Sequence, residues 1–451
     1  MKQTLPRLFY IMQMIGSFQI LQIRAIFFPP EDPVSVAVFV LFIREIIIEF
    51  QYVRCYIGIT NQSNNHGKYT RRSSTMGYVK WGYETLNRFC TDVFHNFGFS
   101  DEEGKIIKDV LLTADLYGIE SHGMQRMVRY HKGIEKGTIH PTAKPEVVFE
   151  TPVSAVIDGH NGMGQLNAYF AMNKAIEKAK TTGVGIVSVR ESNHFGIAGY
   201  YAKMASDQGL IGVAATNSEA IMVPTFGRKA MIGSNPIAVA VPADPFPFLF
   251  DASTTVVTRG KLEMYNKAGK PLPERWALDA NGNPCSDAPT VLSNIVAKKG
   301  GGIMPLGGND PLTGSHKGYG WGMVCEILSS ILSNGVNSDQ CCTFKDKTGI
   351  CHGFIAINPA FFGDAEAIKK NFSDYLQRLR ESPKAEGQEQ IYTHGEKEIF
   401  AEKDRRENGI PVNDNTMVEL SNLCSYLHMD FSKYFEGYQV NKDSKFFAGN
   451  Y

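Results

Sequence analysis

An α/β fold is predicted for this chain because strand-like and helix-like patterns alternate along most of its length. Polar residues also gather where the predicted strands end, which is where the binding sites of α/β folds usually lie. No G-x-G-x-x-G follows a predicted strand and no G-x-x-x-x-G-K-[ST] occurs. The sequence therefore predicts an α/β fold that is neither a Rossmann domain nor a P-loop domain.

The composition indicates a globular protein with small-molecule partners. Of the 451 residues, 43% are apolar, which is enough to bury large cores. Basic and acidic residues number 46 each, so no overall field attracts nucleic acid or an anionic membrane. The eight cysteines lack the dense spacing of a disulfide-rich secreted domain, which favours the cytoplasm. Some of them cluster with a histidine but without a C-x-x-C pair, so we expect no metal site at Cys341, Cys342, Cys351 and His352.

Residues 1–75 differ from the rest of the chain. Their first apolar run lacks a small-x-small cleavage site, and the second, residues 34–43, is about half the length of a membrane-spanning helix. A polar, turn-rich stretch then leads to Met76. We predict that these residues form an extension outside the main fold, either disordered or an over-extended reading of the gene, and we expect no stable membrane association. A membrane anchor is the alternative.

The main fold is predicted to begin at Met76 with two helices. The first takes residues 79–98, whose apolar positions recur at helical spacing. The second follows Ser100, a helix cap with Glu103 three residues later. It leads directly into "ADLYGIESHGMQRMVRY", residues 114–130, which brings a serine, a histidine, two arginines and a tyrosine together.

An α/β pattern follows Pro141. It starts with a strand, a Gly-rich turn, a helix and a second strand in "SAVIDGHNGMGQLNAYFAMNKAIEKAKTTGVGIVSVRESNHFG". A helix at "GYYAKMASDQG" and strands at "LIGVAATNS", "KAMIGSNPIAVAVPAD" and "FPFLFDAS" come next. The loop "GGGIMPLGG" opens onto a helix at "TGSHKGYGWGMVCEILSSILSNG". The last elements are a strand at "HGFIAINPAFF", a helix at "DAEAIKKNFSDYLQRLRES" and a helix started by Asn413 or Asn415.

Polar side chains that could build a site lie in the turns of this pattern. They are Ser121, His122, Arg126, Asn193, His194, Asn217, Ser218, Ser234, Asn235, Asp251 and Lys317. Each has a structural alternative, since a single histidine in a turn is more often hydrogen-bonded than catalytic, and Ser121 could cap a helix. No G-x-S-x-G elbow occurs, and three cysteines lie in apolar helical patterns. The pattern by itself leaves the function open.

Six segments in order resemble the signature segments of the type-2 malate/L-lactate dehydrogenase family, which includes sulfolactate and ureidoglycolate dehydrogenases and cyclic-imine-acid reductases. They are "ADLYGIESHGMQRMVRY", "SNHFGIAGYYA", "IGSNPIAVAVP", "DASTTVVTRGK", "MPLGG" and "HKGYGWGMVCEIL". The resemblance covers Met76 to Tyr434, and residues 1–75 have no counterpart in it. It implies an NAD(P)-dependent oxidoreductase with a non-Rossmann, mixed-sheet α/β fold of the L-sulfolactate dehydrogenase-like type and a helical N-terminal/C-terminal subdomain. It also implies a homodimer with the active site near the subunit interface.

The resemblance assigns roles at the substrate end. His122 resembles the acid/base that exchanges a proton with the substrate, Ser121 resembles its hydrogen-bonding neighbour, and Arg126 resembles the carboxylate clamp. Helical spacing agrees, because Arg126 lies one turn after the Ser121-His122 pair. The alternative proton carrier is His194; we favour His122 and place His194 beside the nicotinamide. Ser234 stands where the family commonly has threonine and keeps a hydroxyl for a substrate contact.

The resemblance also implies positions that bind the cofactor, NAD or NADP. They are His194, Phe195, Gly196, Asn217, Ser218, Asp251, Ser253, Thr254, Gly307, Gly308, Lys317 and Gly318. We expect Lys317 to pair with a phosphate. The chain departs from the family at Thr254-Thr255, where Thr-Ser is more usual, and at residues 392–398, where "YTHGEKE" replaces a common "PGE" turn.

These observations predict a division into four segments. Residues 1–75 lie outside the catalytic fold, 76–145 are helical and carry the substrate motif, 146–385 form the NAD(P)-binding and substrate α/β region, and 386–451 form a C-terminal helical segment. The expected reaction is hydride transfer between the nicotinamide and a small 2-hydroxy or 2-oxo carboxylic acid. A ureidoglycolate dehydrogenase or a cyclic-imine-acid reductase is the alternative within the family. Outside enzymes, the alternative is a non-catalytic or membrane-tethered binding protein of this fold.

Overall fold

A seven-stranded mixed sheet is the centre of the fold in the computed structural model, which describes residues 77–267, 269–442 and 444. The predictions for residues 1–75 lie outside the described residues. The strands are β1 Tyr78–Trp81, β2 Glu146–Glu150, β3 Ser154–Asp158, β4 Val184–Ser192, β5 Ile211–Thr216, β6 Ile237–Val241, β7 Phe248–Ala252, β8 Ala277–Leu278, β9 Gly302–Ile303, β10 Ile350–Ile357 and β11 Ile410–Asn413. The order in the central sheet is β2-β3-β4-β10-β5-β6-β7.

The helices surround this sheet and fill the two ends of the described chain. They are α1 Tyr83–Asn96, α2 Asp101–Leu116, α3 Met127–Glu135, α4 Gly164–Thr182, α5 Ala198–Ser206, α6 Arg259–Lys267, α7 Ala288–Ala297, α8 Ser315–Glu326, α9 Ala365–Glu381, α10 Glu396–Asn408 and α11 Asp414–Tyr426. A π-helical turn, Ile327–Ile331, continues α8. The predicted α/β fold with a mixed sheet is confirmed.

The sheet register brings the polar turns together at one end of the central strands. β3 and β4 are parallel, and α4 connects them, while β10 is antiparallel to both β4 and β5. The start of β10 therefore lies beside the ends of β4 and β5, with His352 opposite both Val189 and Thr216. β6 begins and β7 ends at the same edge, where Ile237 pairs with Ala252. The turns that follow β4, β5 and β7 and precede β6 all meet there.

The N-terminal and C-terminal helices share one apolar core. Buried side chains of α1 and α2 pack with those of α11 and with Phe435. The predicted helix caps are confirmed: Ser100 and Glu103 form a capping box on α2, and Asn413 caps α11. This core supports the segment that joins α2 to α3, where the Ser121-His122 pair lies.

The predicted first helix begins later than expected. Residues 79–81 belong to β1, which pairs with β11, and Gly82 precedes α1. The alternation of exposed and half-buried residues in β1 places Val79 and Trp81 against the helical core. A four-residue stretch is too short for the helical period to be told from the strand period, so its remote partner decides the structure.

The elements that were not predicted are β1, β2, β8, β9, β11, α6, α7 and α10. α6 and α7 pack with β8 and β9 around their own small core, which includes Leu262, Val291 and Ile303. In the part of the chain that the structure describes, no helix is long and apolar enough to cross a bilayer.

Candidate active site

The "ESHGMQR" segment forms two consecutive 3-10 turns between α2 and α3. The buried carboxylate of Asp115 holds the second turn, because the Met124 N–H donates to its Oδ2 over 2.9 Å. A Cβ at position 123 would overlap this carboxylate, so Gly123 is required. Burial raises the pKa of Asp115 to about 7. The backbone thus fixes the direction of the Ser121 and His122 side chains.

The structure brings together four of the predicted site residues, Ser121, His122, Arg126 and His194. Ser121 Oγ lies 2.8 Å from His122 Nδ1, and Arg126 Nε donates to the Ser121 carbonyl over 2.5 Å. The imidazole of His122 stacks on that of His194, with ring centroids 5.4 Å apart. The Ser121 hydroxyl, the Arg126 guanidinium and the two imidazoles are therefore neighbours.

A relay of hydrogen bonds holds His194, which follows β4. The Tyr130 hydroxyl lies 2.9 Å from His194 Nδ1 and receives a hydrogen bond of 2.8 Å from Gln165 Nε2. The Gly196 backbone N–H also points at Nδ1, over 3.4 Å. Because a backbone N–H can only donate, Nδ1 is an acceptor and the ring proton lies on Nε2. His194 thus presents an N–H to the site. Tyr130 belongs to the segment that the sequence singled out, without a role decided for it, whereas Gln165 was not singled out.

Close packing fixes the backbone of the same turn. The Asn193 amide donates to the carbonyls of Thr138, Asn161 and Gly162, each over 3.0 Å. Gly164, the first residue of α4, lies so near the Asn193 carbonyl that a Cβ there would overlap it. The Gly-rich turn "DGHNGMG" supports the histidine turn, and Asn193 is structural.

The site is positively charged and keeps its histidines neutral. Burial lowers the pKa of His122 to about 3, with the charges of Arg126 and Arg129 adding to the effect. Burial and the same charges hold the pKa of His194 well below its usual value. The pKa of Arg126 is itself lowered, first by burial and then by Arg129. The half-buried guanidinium of Arg126 and the exposed guanidinium of Arg129 both favour the binding of an anion.

The turns that follow β5 and precede β6 are joined to each other. Ser234 N–H donates to Ser218 Oγ over 3.1 Å, and Ser218 N–H donates to Asn235 Oδ1 over 3.1 Å. The two serine hydroxyls lie 3.5 Å apart. Ser218 and Ser234 thus form one polar pair at the sheet edge.

Glu326 at the end of α8 anchors these turns and was missed at the sequence level. One carboxylate oxygen accepts from the Ser338 N–H over 2.7 Å and from the Asn217 amide over 3.3 Å. The other accepts from the Asn235 amide over 2.7 Å and from the Ser338 hydroxyl over 2.6 Å. A glutamate inside the apolar helical pattern "GMVCEILSS" was the available signal, because a buried carboxylate requires partners.

Replacing Glu326 by alanine is expected to lower the free energy of unfolding by about 2–4 kcal/mol, since buried amide and hydroxyl donors lose their acceptor. Chemical denaturation measures this change. The matched control is Glu407→Ala on α10, an exposed glutamate, which is expected to change stability by less than about 0.5 kcal/mol. Equal effects of the two substitutions would contradict the anchoring role.

Two of the predicted cofactor residues have their polar atoms engaged within the protein. Asn217 also accepts from the Cys351 N–H over 2.8 Å and donates to the Val336 carbonyl over 2.8 Å. Thr254 donates to the Ser234 carbonyl over 3.0 Å and is buried. These side chains hold the turns in place.

Asp251 lies apart from the histidines. Its carboxylate accepts from the Gly199 N–H at the start of α5 over 2.7 Å. It lines a cavity of about 260 Å³ with Tyr117 and residues 392–395, 397 and 398, whereas His194 lines a different cavity. The predicted cofactor residue Asp251 therefore lines a different cavity from His194.

Some of the remaining predicted cofactor residues have contacts within the protein, and the others lie around the start of α8. Phe195 is buried and stacks on His352, with ring centroids 4.4 Å apart, and the Ser253 hydroxyl donates to the Thr255 carbonyl over 3.2 Å. Gly307 and Gly308 have positive φ, of 92° and 81°. A Cβ on Gly318 would overlap the Leu306 backbone, so α8 begins directly against this turn. Lys317, in the first turn of α8, is exposed and has no hydrogen-bond or ion-pair partner among the described residues.

The side chains of Cys341, Cys351 and His352 form hydrogen bonds within the protein. His352 Nδ1 lies 2.9 Å from Thr216 Oγ1, and its Nε2 lies 2.9 Å from Ser192 Oγ. The thiols of Cys341 and Cys351 both point at the Gly349 carbonyl, over 3.5 Å each. Within the described ranges, no group of three or more His, Cys, Asp or Glu residues could hold a metal ion.

The neutral histidines predict a loss of stability in acid. The folded-state pKa of His122 is about 3, below its ordinary value near 6.5, so between these values the unfolded chain binds more protons. Its contribution to stability is present above about pH 6.5 and is lost as the pH falls towards 3. Between about pH 7 and pH 4.5 the melting temperature of the wild type should fall further than that of His122→Asn. An equal fall of the melting temperature in the wild type and in His122→Asn would show that His122 is not held neutral.

The chain is similar to known proteins over most of its length. The model of a family described as malate/L-lactate dehydrogenase matches residues 81–421. A malate dehydrogenase of Pyrococcus abyssi is 42% identical over 348 residues, which are 77% of this chain and 94% of the relative. An L-sulfolactate dehydrogenase of Methanocaldococcus jannaschii is 37% identical over 362 residues, covering 78% and 98%. The crystal structure of a malate dehydrogenase from Entamoeba histolytica superposes with a TM-score of 0.76 at 38% identity, covering 78% of this chain and 99% of that one.

Proposed function

The chain belongs to the malate/L-lactate dehydrogenase family and is a dehydrogenase of hydroxy acids, and we propose that its substrate is a small 2-hydroxy or 2-oxo carboxylic acid of the malate or lactate type. The observation that carries the proposal is the convergence of Ser121, His122, Arg126 and His194 on one face. A reaction of this class needs a proton-transfer group beside the substrate oxygen and a cation for the neighbouring carboxylate. This face offers both.

Arg126 binds the substrate carboxylate in this proposal. Its planar guanidinium can meet both carboxylate oxygens, and its Nε bond to the Ser121 carbonyl fixes the direction from which it does so. The carboxylate sets the position of carbon 2 relative to His122. Binding an anion here also offsets the charges of Arg126 and Arg129, which lower the pKa of His122. Substrate binding should therefore make His122 more basic.

His122 carries the proton. When its Nδ1–H donates to Ser121 Oγ, Nε2 is free to take a proton from the substrate hydroxyl as the acid is oxidised, and to return it on reduction. The Ser121 hydroxyl stabilises the imidazolium that forms. A bound nicotinamide cofactor accepts or supplies the hydride at carbon 2.

His194 acts as a neutral hydrogen-bond donor beside the nicotinamide. Tyr130 and the Gly196 N–H both occupy its Nδ1, and burial opposes its protonation, so its Nε2–H orients a carbonyl oxygen without giving up its proton. This assignment separates the two stacked histidines into a proton carrier and an orienting group.

The fit of a nicotinamide cofactor rests on two features of the described chain. The turn at Gly307 and Gly308 opens onto the N-terminus of α8, where backbone N–H groups and the exposed Lys317 favour phosphate. Ser218 and the backbone of the His194 turn lie at the sheet edge, where a dinucleotide can contact main-chain groups. Asn217 and Thr254 position these turns, and NAD and NADP both remain candidates.

We further propose a homodimer in the cytoplasm. The outer face of α8 and its π-helical turn exposes apolar side chains at helical spacing, Trp321 (53% exposed), Ile327 (46%) and Ile331 (52%), which a second copy would cover. All seven cysteines that the structure describes are free thiols, which suits a reducing compartment. Analytical ultracentrifugation should give twice the chain mass, and a monomer at micromolar concentration would refute the dimer.

A substrate panel tests the proposed function. Oxidation of NADH and of NADPH is followed with pyruvate, oxaloacetate, sulfopyruvate and a cyclic imine acid, and the reverse reaction is followed with ureidoglycolate. We expect turnover with at least one 2-oxo acid. If NAD(P)H quenches the tryptophan fluorescence but no compound reacts, the chain is a binding protein of this fold. If turnover occurs with the imine or ureidoglycolate alone, the function belongs to the family alternatives.

A further inference from the structure

Glu120, the residue before Ser121, is held by two elements that lie outside the active-site turns. Its Oε1 lies 3.6 Å from Arg405 Nη2 of α10, and its Oε2 accepts a hydrogen bond of 3.2 Å from the Tyr78 hydroxyl of β1. Both partners are distant from Glu120 in the sequence. The first 3-10 turn, which begins at Glu120, is therefore fastened to β1 and α10 at its first residue.

Arg405 also supports the end of α2. Its Nη1 donates to the Asp115 carbonyl over 2.5 Å, in the last turn of α2, where carbonyl groups lack the usual helical partners. The Asp115 carboxylate in turn accepts from the Met124 N–H of the second 3-10 turn. Arg405 thus contacts the carboxylate that starts the first turn and the backbone of the residue that holds the second.

α10 carries Arg405 as a fixed support. At the start of this helix Glu396 is 1% exposed, and its carboxylate accepts from the Thr393 N–H over 3.2 Å and from Arg380 Nε. The Arg405 side chain near the other end is 15% exposed, so solvent screens its charge less than that of a surface arginine. The guanidinium therefore cannot follow Glu120 freely if the turn moves.

We propose that Arg405 is a positioning residue for proton transfer and sets the direction of the His122 ring. It acts through the Glu120 carboxylate and the Asp115 carbonyl, and this inference rests on the proposed function. The His122 N–H donates to the Ile119 carbonyl over 2.9 Å, so the backbone on both sides of Glu120 moves as one turn. A displacement of about 1 Å in a catalytic group can cost about 10²-fold in rate. Arg405 can therefore affect the rate without touching the substrate.

The first measurement is an NMR spectrum of the histidine ring nitrogens in the isotope-labelled full chain, with the His122 signals assigned from His122→Asn. Arg405→Met removes both contacts of the guanidinium and should shift the His122 signals. Arg406→Met is the matched control, because Arg406 is the next residue of α10 and donates to Glu402 of the same helix over 2.8 Å. This control should leave the His122 signals in place.

The second measurement is kcat for the 2-oxo acid that the wild type reduces fastest. Arg405→Met should lower kcat by about 10- to 100-fold, whereas the affinity for NAD(P)H in a fluorescence titration should not change. Arg405→Lys should lose less, because an ammonium keeps the charge but lacks the fork that meets both partners. Glu120→Gln, which leaves α10 intact, should also lower kcat. The double variant should lose less than the product of the two single losses, because both substitutions break the same ion pair.

The outcomes separate this inference from the proposed function. Unchanged His122 signals in Arg405→Met would overturn the inference, with or without turnover by the wild type. A double variant whose loss equals the product of the single losses would overturn it as well, and so would a lower melting temperature with a normal kcat, which would leave Arg405 only the docking of α10 on α2. If Arg405→Met does not fold, the same two measurements on Glu120→Gln decide. If the wild type turns over no compound of the panel, the proposed function fails, and the NMR shift still decides whether Arg405 orients the ring.

Discussion

His122→Ala is expected to lower kcat by about 10²–10⁴-fold while leaving cofactor affinity nearly unchanged, because the ring moves a proton and does not hold the cofactor. The Ser121 hydroxyl, which is bonded to Nδ1, and the stack on His194 hold the His122 ring in the orientation that proton exchange with the substrate oxygen requires. Stopped-flow measurement of a single turnover, together with a fluorescence titration of NAD(P)H, separates the two effects.

Two further variants make the result specific. His140→Ala replaces an exposed histidine whose ring lies 3.0 Å from the Gly137 carbonyl, and it should leave kcat unchanged. His194→Ala removes the orienting donor and should cost less in kcat than His122→Ala. A near-normal kcat for His122→Ala with a large loss for His194→Ala would move the proton-carrying role to His194.

Arg126→Lys should raise KM for the 2-oxo acid and lower kcat/KM by about 10²–10³-fold, although the charge is kept. A lysine ammonium cannot form the paired bonds of a guanidinium, and it loses the Nε bond to the Ser121 carbonyl that aims the group. The loss therefore reports orientation of the substrate and not charge alone. Steady-state kinetics in both directions measure it.

The control for this prediction is Arg378→Lys on α9, an exposed arginine whose replacement should change neither constant. A uniform loss of stability is excluded by comparing melting curves of the two variants. If Arg126→Lys retains the wild-type KM, the carboxylate is bound elsewhere, and Arg129 becomes the first group to examine.

Much of the fold follows from local sequence patterns. The β3-α4-β4 unit, the capping box at Ser100 and Glu103 and the cap at Asn413 depend on neighbouring residues, so the sequence predicts them correctly. β1 could not be predicted, because its four residues are held by pairing with a strand more than 300 residues later in the chain. The small core around α6 and α7 likewise depends on distant partners.

In the candidate site, too, contacts between residues near in sequence could be predicted, and contacts between distant residues could not. Ser121, His122 and Arg126 lie within six residues, so the sequence indicates their proximity directly. Tyr130 and Glu326 act through partners 64 and 109 residues away, His194 and Asn217, and no local pattern reveals such pairs. Asn217 illustrates the converse, since its position in a polar turn predicts contact with a ligand, whereas its amide is engaged by the protein.

The most direct test of the central claim follows the hydride itself. The full chain is incubated with oxaloacetate and with pyruvate in the presence of NADH deuterated at carbon 4 of the nicotinamide, and the products are analysed by NMR and mass spectrometry. We expect deuterium at carbon 2 of the hydroxy acid, in the wild type and, far more slowly, in His122→Ala. Oxidation of the cofactor without deuterium at carbon 2, or no transfer to any 2-oxo acid, would contradict it.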